Sequence, residues 1–244
     1  MQSVVPATDA VLQSPYTPPM KLLALETSTE YCSVALACGQ DVIERGEHVG
    51  QRHSELLLPM LDEMLRTAGV APADLDAIAF GQGPGSFTGL RIACAVTQGF
   101  AFAAGIPVVP VGTLLALAEG SGAGRVLCCI DARMNEVYFA AYERAGHQWS
   151  TVVEPLVAPP SAVPVPDGDS WVACGNGYAV HEVVLYGRHG PHVSQFMPGA
   201  FPHARDIVKL AIPLFESGFR IDAAEAAPVY IRDKVALKTD ERRR

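Results

Sequence analysis

The stretch from Gly81 to Gly105, which opens Gly-Gln-Gly-Pro-Gly-Ser-Phe-Thr-Gly-Leu-Arg, constrains this chain more than any other. Four glycines and a proline within nine residues, followed at once by Leu90, Ile92, Val96, Phe100 and Phe102, describe a tight backbone turn feeding an apolar helix. Asp76 to Phe80 just ahead reads as a short strand, because Ile78 and Phe80 are apolar and the run ends in glycine. Strand, glycine loop and helix N-terminus form the geometry in which backbone N–H groups converge on an anion. The loop carries neither the Gly-Lys-Ser/Thr of a Walker motif nor the downstream acid of a dinucleotide fingerprint, so a plain tight turn before a core helix stands beside the anion reading.

The 244 residues, 49% of them hydrophobic, suit one large or two small domains with a substantial core. A net charge of −8 argues against the body binding nucleic acid by electrostatics alone, so any RNA would be held by a more basic partner. The cysteines, Cys32, Cys38, Cys94, Cys128, Cys129 and Cys174, form no Cys-x-x-Cys pair, and all but Cys174 lie in apolar segments. Small buried thiols in a reducing compartment are expected, and with them a cytoplasmic protein. Residues 1–19 hold Pro6, Pro15, Pro18 and Pro19 but no basic or continuously apolar region, which predicts a disordered extension rather than a signal peptide. No apolar run reads as a membrane span, so a soluble chain with no membrane partner is expected.

In order, Met20 to Leu25 and Tyr31 to Cys38 read as strands joined by the polar elbow Glu26-Thr27-Ser28-Thr29-Glu30, and Asp41 to Val49 as an edge strand. From Gln51 the period changes: Leu56, Leu57, Met60, Leu61, Met64 and Leu65 give a broad apolar helix face that continues past Pro59 and stops at Gly69. The helix after the glycine loop carries Ala93, Ala95, Thr97, Gly99, Ala101, Ala103 and Ala104, a surface that lets another helix approach closely. The two helices have more apolar surface than one sheet face covers, which suggests association.

Pro107 to Val111 reads as a strand and Thr113 to Glu119 as a short helix, before a flexible Gly120-Ser121-Gly122-Ala123-Gly124 boundary between two halves. Val126 to Asp131, the elbow Ala132-Arg133-Met134-Asn135 and Val137 to Tyr142 then repeat the opening plan, as two related lobes would. Further strands are expected at Val152 to Val157 and Trp171 to Cys174, and helices at Tyr178 to Leu185 and His203 to Phe215.

Five segments together resemble the TsaB family, non-catalytic paralogues of the TsaD proteins that place threonylcarbamoyl on adenosine in tRNA. They are Leu23 to Ser28, Arg52 to Pro59, Gly83 to Arg91, Asp131-Ala132-Arg133 with Glu136-Val137-Tyr138, and Pro228 to Arg232. They span residues 20–232 in the family's order, and the glycine stretch is the most specific. Glu26 stands where these proteins often have Asp. TsaD-like catalysts carry His-x-x-x-His on a helix for a metal, whereas His53 here is followed four residues on by Leu57.

The resemblance implies a two-lobed, actin-like α/β fold (ASKHA, ribonuclease H-like) with mixed sheets flanked by helices. It implies a lobe over residues 20–119 and a smaller one over 120–232 whose last helix packs back on the first, then a polar tail over 233–244. It implies a scaffold without catalytic or metal residues and without a cofactor of its own, ATP or ADP being bound at the level of the complex. Its partners would be a TsaD homologue, the TsaE ATPase, tRNA indirectly, and a second copy of itself when alone. The association surface would be the two helices, with His53, Leu57, Met60, Leu61, Met64, Ala93, Thr97, Phe100 and Ala101 as interface residues. A nucleotide or phosphate loop, if present, would use Glu26, Thr27, Ser28, Gly83, Gly85, Ser86, Asp131 and Arg133. The rival readings are an ASKHA-type phosphotransferase built on the two elbows, and a peptidase using Ser86 with His53. The latter lacks a Gly-x-Ser-x-Gly elbow.

Overall fold

Leu22, Leu23, Ala24 and Leu25 follow one another in sequence and are all buried, so the strand that carries them must be covered on both faces. The computed structural model describes residues 19–146 and 148–232. The expected extension up to residue 18, the polar tail with its arginines, and His147 lie outside them.

Among the described residues, ten strands form two mixed five-stranded sheets. The first holds β1 (Lys21–Glu26), β2 (Tyr31–Cys38), β3 (Asp41–His48), β4 (Ala77–Gly83) and β5 (Val108–Gly112) in the order β3-β2-β1-β4-β5. The second holds β6 (Arg125–Asp131), β7 (Val137–Ala145), β8 (Gln148–Ala158), β9 (Trp171–Cys174) and β10 (Val193–Met197) in the order β10-β9-β6-β7-β8. In each, the three earliest strands form an antiparallel meander, and the last two add in parallel on the other side of the first. The two sheets therefore share one plan.

The sheets are covered by the helices α1 (His53–Ala68), α2 (Phe87–Ala104), α3 (Thr113–Gly120), α4 (Gly177–Val180), α5 (Glu182–His189) and α6 (Ala204–Glu216). Alternation along β1 divides the core. Leu23 and Leu25 meet α1 and α2 through Leu57, Leu61, Met64, Ala93 and Ala101. Leu22 and Ala24 belong to the other face, closed by Ala204, Ile207, Val208 and Ala211 of α6. Leu114, Leu117 and Ala118 of α3 close one face of the second sheet, and Tyr178 and Leu185 of α4 and α5 the other. Helix α6 thus lies on the sheet made by the first half of the chain.

Most elements lie where the sequence places them; β2 and β9 match to the residue. The expected helix at Tyr178 to Leu185 is two short helices separated at His181, and β8 is longer than expected. β10 was not foreseen. By length and composition alone, α2 is long and apolar enough to cross a membrane, contrary to the expectation that no run is, but its buried stripe packs on the first sheet.

The N-terminus of α6 shows how the returning helix is held. Ser33 Oγ on β2 accepts from the Ala204 N–H at 2.9 Å, and the Glu44 carboxylate on β3 accepts from the Arg205 N–H at 3.2 Å. His203 and Arg205 flank the same carboxylate, at 3.3 and 3.5 Å. These bonds supply acceptors to amides that no helix can satisfy internally. Ser33→Ala leaves the buried Ala204 N–H without one and is expected to cost about 1–2 kcal/mol. Urea unfolding checks this: the midpoint should fall with the slope unchanged, and an unaltered midpoint would sink the assignment.

Candidate functional site

The two elbows foreseen in the sequence face each other across a cavity of about 560 Å³. One wall is the β1–β2 turn and the start of α2, with Ser28, Gly85 and Ser86; the other is the β6–β7 turn, with Asp131, Ala132 and Arg133. The mouth carries Phe87, Met134, Val229, Tyr230 and Arg232.

The glycine loop reaches this wall by lying on the first elbow. The Ser86 N–H donates to the Ser28 carbonyl at 2.7 Å, and the Thr27 hydroxyl donates to the Gly89 carbonyl at 2.8 Å. A Cβ on Gly89 would overlap the Thr27 carbonyl, and one on Gly81 the Glu26 carboxylate, so both positions need glycine for close approach. Ser86 caps α2, its Oγ accepting from the Gly89 N–H at 3.3 Å. Much of the loop's polar backbone is thus bonded to its own chain.

This placement divides the expected phosphate residues. Ser28, Gly85, Ser86, Asp131 and Arg133 line the cavity, whereas Glu26, Thr27 and Gly83 lie behind its wall. Glu26 is fully buried: one carboxylate oxygen accepts from the Ser28 N–H at 2.5 Å and the other has no partner among the described residues. Burial pushes its carboxyl up to about 7, a rise only partly offset by Ser28. On the far wall Asp131 accepts from His181 and from Arg133, both at 3.3 Å. The Asp131–Arg133 pair is internal.

Asn176, which the sequence did not single out, joins the walls. Its side-chain oxygen accepts from the Asp131 N–H at 2.9 Å, while its amide nitrogen donates to Glu30 at 3.3 Å. The Gly175-Asn176-Gly177 turn was the only sign of it in the sequence. His53 and Ser86 share the cavity wall without bonding to each other. His53 Nε2 donates to the Thr29 carbonyl at 2.8 Å, and burial lowers its pKa, against the opposing pull of that carbonyl and of Glu30. The nucleophile and base of the peptidase reading are not assembled.

The helical residues expected at an interface need correction. His53, Leu57, Leu61, Met64, Ala93, Thr97 and Ala101 are buried in this chain's own core, and Met60 and Phe100 are half-buried. The sheet takes the most continuous apolar stripe of each helix. Left outside are Leu58 and Pro59 among the polar and charged residues of α1, such as Glu55, Asp62, Glu63 and Arg66, and Arg91, Ala95, Gly99, Phe102 and Ala103 on α2, with Leu56, Ile92 and Val96 half-buried. Phe102 is 84% exposed.

Two sheets of one plan, enclosing two helices and facing each other across a cleft between matching turns, define an α/β protein of the actin-like, ribonuclease H-like class. A family model described as TsaD, tRNA N6-adenosine threonylcarbamoyltransferase, matches residues 46–238. The tRNA threonylcarbamoyladenosine biosynthesis protein TsaB of Escherichia coli is 36% identical over 229 residues, covering 90% of this chain and 97% of that protein. Its counterpart in Haemophilus influenzae is 35% identical over 233 residues, covering 90% and 96%. Among solved structures, YeaZ from Pseudomonas aeruginosa superposes with a TM-score of 0.80 at 41% identity, over 86% of this chain and 99% of that one. A second Pseudomonas aeruginosa structure, described as similar to the peptidase YeaZ, gives 0.81 at 40% identity, over 87% and 100%. The chain belongs to the TsaB family, within the wider TsaD group.

The buried Glu26 makes stability depend on pH. With the folded pKa near 7 and the unfolded value near 4.5, the folded state holds a proton that the unfolded chain releases between them. Stability therefore falls as pH rises through that window, by on the order of 3 kcal/mol. Glu26→Gln, which cannot ionise, is expected to remove this contribution. Urea titrations at a series of pH values check it, and the parent's slope persisting in the variant would refute it.

Proposed function

We propose that this chain works in tRNA threonylcarbamoyladenosine biosynthesis as the non-catalytic subunit that docks and orients a TsaD homologue. Family membership along 90% of its length against the Escherichia coli protein carries the reading, and a role in a complex with TsaD follows from that membership. The docking surface in this proposal is the free face of α1 and α2. Ala95, Gly99 and Ala103 leave a shallow lane along α2, with Phe102 as a large apolar side chain at its edge. Small residues let a partner helix approach, and an exposed phenylalanine gains by being covered.

The same face supports a homodimer in the absence of TsaD, so the two assemblies would compete. TsaE would act on the TsaD-bound form. tRNA and nucleotide would be held at the level of the complex, in the cytoplasm, since a chain of net charge −8 offers tRNA little attraction. Unlinked Ser86 and His53, and an Asp131 bonded to His181 and Arg133, speak against independent peptidase or phosphotransferase chemistry.

Co-purification with the organism's TsaD homologue tests the proposal directly. Ala95→Glu and Ala103→Glu place a charge on the free face and are expected to abolish co-elution while leaving the monomer folded. Ala101→Glu and Met64→Lys should instead unfold it, because both positions are buried. A parent protein that does not pair with TsaD would overturn the reading.

The isolated chain is expected to have no ATPase, kinase, peptidase or threonylcarbamoyl transfer activity. Turnover by the purified protein that disappears with Asp131→Asn would contradict this.

A further inference from the structure

After α6 the chain runs as an extended strap that touches both sides of the cleft. The Ala226 carbonyl accepts from Gln98 Nε2 at 2.8 Å and from the Cys94 thiol at 3.3 Å, fixing the strap to the middle of α2. The Val229 N–H donates to the Gln82 carbonyl at 2.7 Å beside the glycine loop. Tyr230 lies against Phe87, with ring centroids 5.4 Å apart, and accepts from Arg91 Nε at 3.0 Å at the start of α2. Arg232 then crosses to the opposite wall, where it pairs with Glu136, donates to the Arg133 carbonyl and lies 6.0 Å from the Tyr138 ring centroid.

The receiving turn is unusual. Arg133, Met134 and Asn135 all have positive φ, at 60, 54 and 57°. Consecutive non-glycine residues in the left-handed region are costly, above all Arg133 and Met134, and such a turn persists only where contacts over-determine it. The cost has a counterpart on the strap, because Arg232 Nε is buried without an acceptor among the described residues. The contact sits at the mouth of the cavity, where Val229, Tyr230 and Arg232 form part of the lining.

We propose that residues 226–232 are a latch across the cleft, with the Arg232–Glu136 ion pair as its catch, so that releasing Arg232 widens the mouth of the cavity while both sheets stay folded. The anchored part, from Ala226 to Tyr230, stays with α2, and the moving contact is the one with the β6–β7 turn. The latch acts on the cleft and meets the free face of α2 only where Tyr230 accepts from Arg91.

Amide hydrogen exchange on the full chain tests the latch. In Arg232→Ala, amides of residues 132–137 and 86–91 should exchange about tenfold faster, while the slow amides of β1, β4 and β6 keep their protection. Combining Arg232→Glu with Glu136→Arg should restore slow exchange at the turn. Unchanged exchange at residues 132–137 in Arg232→Ala would overturn the proposal. So would acceleration shared equally by the core strands, or a charge-swapped variant that stays open.

Discussion

The contact on which the rest of the structure depends is backbone against backbone: the loop from Gly81 to Gly89 lying on the elbow from Glu26 to Ser28. Two hydrogen bonds, from Ser86 N–H to the Ser28 carbonyl and from the Thr27 hydroxyl to the Gly89 carbonyl, hold it there. Side chains at Gly81 or Gly89 would hold the two segments apart. The approach fixes where α2 begins, sets one wall of the cleft and encloses Glu26. The conformational freedom of glycine is spent here on proximity, and a carboxylate without full solvation is one result.

Much of the fold was legible because the relevant signals are local. Apolar runs broken by polar elbows mark β1, β2, β6 and β7, and that plan reappears in the two sheets, whose strand orders match. β10 escaped because Val-Ser-Gln-Phe-Met has no clean alternation, and none of its residues is fully buried. The division of α4 from α5 turns on His181, whose side chain is directed to Asp131, fifty residues earlier in the chain. No local pattern encodes that.

The candidate site was legible in outline and misread in detail for related reasons. The residues at both elbows were found, but whether a side chain faces the cleft or the interior depends on which backbone covers it. Glu26 looks like an acid at a loop, and only the covering glycine loop turns it inward. The helices posed the same problem. α2 is apolar or small nearly all round, so periodicity could not separate the stripe facing the sheet from the one left free. Contacts between distant parts of the chain, such as Asn176 with Glu30 and Arg232 with Glu136, depend on the folded arrangement of both lobes.

The position of α6 bears on how the protein is made. The face of the first sheet formed by Leu22, Ala24, Ala35 and Val109 is closed by residues 204–211, which leave the ribosome after the whole second sheet has been synthesised. During that interval a nascent chain presents a broad apolar surface with its own cover not yet translated. Synthesis and folding of the first lobe are therefore out of step, and a fragment ending near residue 120 retains the exposed surface permanently.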